Sequence, residues 1–188
     1  KKKQRIEELS NGIRKLRVNV SRDIKQTEDE KLFLTALVIA VMDVSAERIG
    51  NDESQANGHL GVTGFQRKNI TINGNSVSLD YIGKSGVKHE KCFTDERLAK
   101  ALNRAIKNSP SNFIFTTSKG LRIKSGQVNN YLKDFNISSK NLRGYAANKW
   151  TIEKLKLITP EETDKKRKKQ LNKILKQIAE KVGHGRPT

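Results

Sequence analysis

Apolar positions recur at helical spacing through most of the chain and at strand spacing in one stretch. Ile6, Leu9, Ile13, Leu16 and Val20 alternate steps of three and four, the seam of an amphipathic helix with charge on its other face. Thr27 and Glu30 predict a capping box. The helix behind it carries Phe33, Leu37, Ala40, Val41 and Val44, widened by Leu34, Val38 and Ile39. Such a broad stripe is buried on most sides. The helix is expected to end near Ala46-Glu47, leaving Arg48 at its terminus beside Gly50. Turn-forming residues fill 51–58, where a loop is expected.

The period then changes. Residues 61–65 and 69–72 read as short strands, and Asn73-Gly74-Asn75 as the turn that follows. Val77, Leu79 and Tyr81 alternate with Ser76, Ser78 and Asp80, the pattern of a half-buried strand. Gly83-Lys84-Ser85-Gly86 reverses the chain and 87–93 returns. An antiparallel sheet of about three strands follows, with Lys84 at or near a hairpin tip.

Helical spacing then resumes. Thr94, with Asp95 and Glu96 behind it, predicts a capped helix through Leu98, Leu102 and Ile106. Residues 108–112 break it, and Phe113-Ile114-Phe115 fits either period. A helix from about Ser125 carries Val128, Tyr131, Leu132 and Phe135. Ser138 or Ser139 caps the next, with Leu142, Tyr145, Ala146 and Trp150 on one face and Arg143 in its first turn. Thr159, Pro160 and Glu162 predict the start of a last helix. Its buried stripe is Leu171, Ile174, Leu175, Ile178 and Val182, and Gly183 is its stop. The fold class is α+β, mostly helical, with a small inserted antiparallel sheet. Residues 1–188 read as one domain, without linker or repeat.

Charge narrows the function. Thirty-eight Lys and Arg against 20 Asp and Glu leave +18 on 188 residues. That excess points to a polyanion. No apolar run is long enough to span a bilayer and no lipidation signal is visible, which favours nucleic acid over a membrane. One cysteine, Cys92, excludes an internal disulfide and a thiolate metal cluster, and reads as a small apolar strand residue. The start of the chain is not a signal peptide, so a reducing, intracellular and DNA-associated location is expected.

Four cationic or donor groups stand in well-defined settings: Arg48, Lys84, Arg143 and His184, the last between two glycines. Together they suit a phosphodiester. Guanidinium groups stabilise the charge on a pentacoordinate phosphorane. A lysine shifted by neighbouring cations can protonate a leaving alkoxide, and a histidine can donate to a non-bridging oxygen. The acids are scattered and sit beside basic residues, which argues against two-metal chemistry. Taken singly, each cation also reads as a solvated surface charge. The run 165–169 reads as a solvated helix face near backbone phosphates. His89 reads as structural or as a peripheral DNA contact, and His59 has no supporting context.

Arg-Ile-Gly-Asn-Asp-Glu (48–53), Gly-Lys-Ser-Gly-Val-Lys-His-Glu (83–90), Lys-Asn-Leu-Arg-Gly-Tyr-Ala-Ala-Asn (140–148) and Ala-Glu-Lys-Val-Gly-His (179–184) resemble the catalytic domain of type IB DNA topoisomerases, most of all the compact poxvirus-like and bacterial ones. The resemblance runs the length of the chain, in order. It implies the tyrosine recombinase/topoisomerase fold, a monomeric half-clamp on duplex DNA, and strand cleavage through a 3′-phosphotyrosyl link without ATP or an obligatory metal or other cofactor. It also implies that Arg48 and Arg143 clamp the phosphate, that Lys84 protonates the 5′ oxygen with Arg48 assisting, and that His184 contacts a non-bridging oxygen. Asn148 falls where the family has an asparagine near DNA. Lys140, Lys68, Arg67, Lys88 and Arg186 are further candidate DNA contacts.

The family's nucleophilic tyrosine follows the histidine, at a distance that falls beyond Thr188. Tyr81 and Tyr131 read as core, and Tyr145 occupies a position where the family's tyrosine is not the nucleophile. The nucleophile and the family's N-terminal clamp domain are therefore expected outside these residues. Two rival readings stay open. A tyrosine recombinase shares the fold and chemistry, but usually has histidine where this chain has Lys140. A non-catalytic DNA-binding module would leave the four cationic positions unexplained.

Overall fold

The computed structural model describes residues 2–26 and 28–183. Thr27, His184 and Arg186 lie outside the described residues. The core is built around α2 (Glu30–Ser45), whose residues 33–42 are all buried. Asp29 caps it, its carboxylate accepting from the Leu32 N–H at 2.9 Å. The predicted capping box therefore gives way to a shorter, more local cap.

Helix α1 (Lys2–Asp23) lays Ile13, Leu16 and Val20 into that core. Ile6 is 61% exposed, because the stripe outruns what packs against it. Arg17 holds α1 to α2 through both oxygens of Asp43, at 2.7 and 2.9 Å.

Residues 51–58, expected as a loop, contain a short helix, α3 (Asp52–Ala56), started by the Asn51 side chain accepting from the Ser54 N–H. Residues 61–65, expected as a strand, form a 3₁₀ turn over Val62–Gly64. Here Gly61 lies flat on Gly50, and any Cβ on Gly61 would overlap the Gly50 backbone. That close approach lets the N–H groups of Val62 and Thr63 bond the carbonyls of Arg48 and Ile49 at 2.9 and 3.0 Å. The glycine pair serves to fix the backbone at Arg48 and does not start a sheet.

The predicted sheet is present: β1 (Ile70–Asn73), β2 (Ser76–Ile82) and β3 (Lys88–Thr94), antiparallel in the order β1-β2-β3. Val77, Leu79 and Tyr81 face the core. Lys84 sits in the 3₁₀ turn between β2 and β3. Cys92 is exposed beside Ser76, because it faces outward on β3. Thr94 ends β3, and Asp95 instead caps α4 (Glu96–Asn108).

Ile114, Phe115 and Ile123 are buried in an irregular stretch, followed by α5 (Ser125–Lys133). Ser138 caps α6 (Ser139–Lys156), in reciprocal exchange with Asn141.

The last helix, α7 (Asp164–Val182), starts later than Thr159 and Pro160 predict, with Thr163 as its cap. Side chains of α7 take the carbonyls of the preceding segment. Arg167 Nε donates to Glu161 at 2.6 Å, and Gln170 Nε2 to Thr159 at 3.0 Å. Those carbonyls are therefore bonded outside any helical ladder. Ile174, Ile178 and Val182 are buried, whereas Leu171 and Leu175 are exposed, because α7 packs through one narrow seam. Gly183 closes α7 in the left-handed region at φ 72°, as its position predicts. No helix among the described residues is long and apolar enough to cross a membrane.

Candidate functional site

A cleft of about 370 Å³ opens between the end of α2, the β2–β3 turn and the start of α6. Arg48, Lys84, Lys140, Arg143 and His59 all line it, with Asn51, Ser54 and Ser139 as neutral polar neighbours. Among the described residues no carboxylate lines it. The nearby acid Asp52 is turned to Lys124 at 2.9 Å. Four cations with no lining counter-charge make an anion site.

Arg143 is the most constrained of these residues, only 8% exposed. Its Nε donates to the Ala46 carbonyl and its Nη2 to the Val182 carbonyl, both at 2.9 Å. Two donors are spent on protein and Nη1 is left without a partner among the described residues. Burial, and next the charge of Arg48, lower the Arg143 pKa, while Glu47 and Tyr81 oppose the shift. The side chain stays charged. It is a fixed positive charge, oriented before any ligand arrives.

Glu47, 1% exposed, supplies the charge balance beneath the cleft. Its carboxylate accepts from the Tyr81 hydroxyl and lies 2.9 Å from Lys91 Nζ. Lys91 also donates to the Ser45 carbonyl at 3.0 Å. Burial raises the Tyr81 pKa, and the Glu47 charge adds to that, so the phenol stays protonated. Burial lowers Lys91, against Glu47.

The structure thus gathers four of the residues singled out from sequence: Arg48, Lys84, Arg143 and Lys140. His184 and Arg186 lie outside the described residues, and Gly183 is the last described position before them. Asn148 is exposed on α6 and does not line the cleft. Arg67 and Lys68 are exposed ahead of β1, with Arg67 Nη2 donating to Ser109 at 2.8 Å. Lys88 is paired with Glu90 at 2.7 Å and Asp80 at 3.9 Å on the outer face of β3.

His59 was missed. It reaches the cleft because the Leu60 N–H bonds the Ile82 carbonyl at 2.7 Å, seating that loop against the end of β2. Nothing in the local sequence signals that long-range bond.

None of the three tyrosines lines the cleft. Tyr81 donates to Glu47, and Tyr131 donates to Asp23 at 2.6 Å. Tyr145 is half-buried, with the Arg17 guanidinium 5.5 Å from its ring centre.

Among the solved structures that share this fold are two complexes of one recombinase. XerH site-specific recombinase bound to difH substrate in a pre-cleavage complex has a TM-score of 0.57 at 15% identity, covering 96% of this chain and 46% of that one. The post-cleavage complex with palindromic difH has a TM-score of 0.57 at 14% identity, covering 96% and 45%. The architecture is therefore that of a tyrosine recombinase/type IB topoisomerase-like catalytic domain. Residues 1–188 match the family described as eukaryotic DNA topoisomerase I, catalytic core, and the chain belongs to that family.

Among curated relatives it is 26% identical over 183 residues to the DNA topoisomerase 1B of vaccinia virus (strain Western Reserve), covering 93% of this chain and 55% of the relative. It is 25% identical over 183 residues to the DNA topoisomerase I of monkeypox virus, with the same coverage. The chain spans about half the length of the curated relatives it matches.

Proposed function

We propose that residues 1–188 form the single catalytic domain of a type IB DNA topoisomerase, working as one copy on duplex DNA. One observation carries this reading: Arg48, Lys84, Lys140 and Arg143 share a cleft that no carboxylate among the described residues lines. The partner is a duplex phosphate backbone, which matches the +18 charge and the solvated lysines of α7.

A tyrosine from outside these residues attacks the scissile phosphorus, and its phenolic proton passes to solvent or a nearby base. The oxygen–phosphorus bond to the 3′ phosphate forms as the bond to the 5′ oxygen breaks. Arg48 and the free edge of Arg143 hold the non-bridging oxygens as charge builds on them. Lys84 gives its proton to the departing 5′ oxygen. His184 donates to a non-bridging oxygen. Lys140 and His59 contact the same phosphate or its neighbour, and Asn148, Arg67, Lys68, Lys88 and Arg186 lie along the flanking backbone. The phosphotyrosyl link conserves the energy of the broken bond, so relaxation and resealing need no ATP.

The test is relaxation of supercoiled plasmid in chelator, without ATP, by the full protein containing this chain. Relaxation that Arg143→Ala nearly abolishes supports the reading, and undiminished relaxation by that variant removes the central assignment. Recombinases share the fold, so a strand-joining assay runs alongside. Lys140, where a recombinase usually has histidine, favours relaxation over strand exchange. DNA binding without any covalent adduct would indicate a non-catalytic module.

A further inference from the structure

His89 lies on β3 opposite Tyr81, 7% exposed, with its ring stacked on the Tyr81 ring at 4.8 Å and 7°. The catalytic scheme above gives it no part. Its surroundings are unusual in one respect, which is that two glycines from distant parts of the chain press on the same imidazole. A Cβ at Gly83 would lie 2.7 Å from its Nε2 and 2.8 Å from its Cδ2. A Cβ at Gly183 would overlap its Cε1 and lie 2.8 Å from its Nδ1.

Gly83 immediately precedes Lys84, and Gly183 immediately precedes His184. Neither approach is available to a residue with a side chain. The ring in turn cannot shift easily, because Tyr81 is tied to the buried Glu47.

Resting on the topoisomerase reading, we propose that His89 is a positioning residue. Its ring is a spacer that sets where the β2–β3 turn presents Lys84 and where the last turn of α7 hands the chain on to His184. Arg143 grips that same turn through the Val182 carbonyl, so the end of α7 is located from two sides. Burial, with the charges of Lys91, Arg143 and Arg48 adding and Glu47 opposing, lowers the His89 pKa and keeps the ring neutral. A neutral ring can pack against backbone in this way without an unpaired buried charge.

The test uses His89→Ala, Gly83→Ala and the double variant. Gly83 has ordinary backbone angles, φ −97° and ψ −167°, so an alanine there meets only the packing with His89 and Tyr81. In the full protein, each single variant is expected to lower the cleavage rate at saturating DNA roughly ten- to a hundred-fold, with DNA affinity held within about two-fold. The double variant should recover part of the loss, since the alanine methyl then fills space the ring has left.

A substrate with sulfur in place of the bridging 5′ oxygen supplies the decisive reading. A thiolate leaves without being protonated, so it bypasses Lys84 and should restore most of the His89→Ala rate. The inference is overturned if His89→Ala cleaves within about two-fold of wild type, if the two losses multiply, or if the sulfur substrate shows the same deficit. Should the wild-type full protein make no covalent adduct, the topoisomerase reading fails. The spacer is then judged by melting temperatures of the chain itself: coupled Gly83→Ala and His89→Ala shifts sustain it and additive shifts end it.

Discussion

The two apolar clusters of this chain do different work. The larger one wraps α2, where Leu37, Val38, Val41 and Met42 are sealed by α1, α4, α5 and the sheet. The smaller one is a seam of Ala46, Ala146, Ile174, Ile178 and Val182, edged by Ala147, Trp150 and Ile158, and it is what holds α7. Arg48 and Lys84 hang from the large core. Gly183, the last described position, hangs from the seam. Arg143 ties the ends of two helices across that seam: one nitrogen on the Ala46 carbonyl just past α2, another on the Val182 carbonyl at the end of α7. If the arginine proposed to clamp the phosphate is also a strap, the complete site depends on the docking of one helix. The parts of the site that rest on the large core are there regardless.

Arg143→Ala tests this most severely. Loss of a preformed donor costs on the order of 10²–10³ in cleavage rate, and here the strap goes with it. Single-turnover cleavage should fall by at least that much, and amide exchange in the last turn of α7 should accelerate while α2 stays protected. Arg143→Lys should not restore either property, since an ammonium cannot reproduce the planar fork. Loss of cleavage without faster exchange in α7 would show that the arginine is a clamp and no strap.

Leu37→Ala and Ile178→Ala contrast the two clusters directly. The first should destabilise the whole chain by roughly 2–5 kcal/mol in urea unfolding. The second should cost less globally and appear instead as local opening of α7. Equal effects on α2 and α7 from both variants would dissolve the distinction.

Smaller effects are expected at the rim of the cleft. DNA affinity of the chain should fall steeply with salt, and Lys140→Ala or Lys84→Ala should each reduce the logarithmic salt slope by about one. An unchanged slope would place these lysines off the backbone. His59→Ala should weaken binding by a few-fold at low salt, with little change in stability, and an unaltered affinity would leave that histidine as a bystander.

The smallest effect is one of pH. Because burial depresses the His89 pKa, the folded chain binds fewer protons there than the unfolded chain. That contribution is fully present above about 6.5, the ordinary histidine value, and is lost as pH falls below it toward the folded value. His89→Phe should flatten this part of the acid limb of a stability curve.

Local chemistry made much of the fold legible. The period-two run at Val77, Leu79 and Tyr81 places β2, and the stop at Gly183 places the end of α7. Competing local signals went astray where several were strong together. Thr159, Pro160 and Glu162 are good starters, but Thr163 caps the helix and its own side chains take the earlier carbonyls. Gly61 read as the edge of a strand, while its purpose is to lie against Gly50. In the site, Arg48, Lys84, Lys140 and Arg143 were legible because each stands in a recognisable setting of neighbours. His59 was not, since its place depends on a bond from Leu60 to Ile82 across the fold.

The sequence by itself determined the helical scaffold, the inserted hairpin and the identity of the cations, because periodicity, capping and charge are properties of neighbours along the chain. Tertiary structure alone decided that Arg143 would spend two donors as a strap, that Glu47 would balance charge under the cleft, and that one imidazole would separate Gly83 from Gly183. Those outcomes depend on which distant backbone atoms meet at van der Waals contact, and no pattern of neighbouring residues encodes that distance.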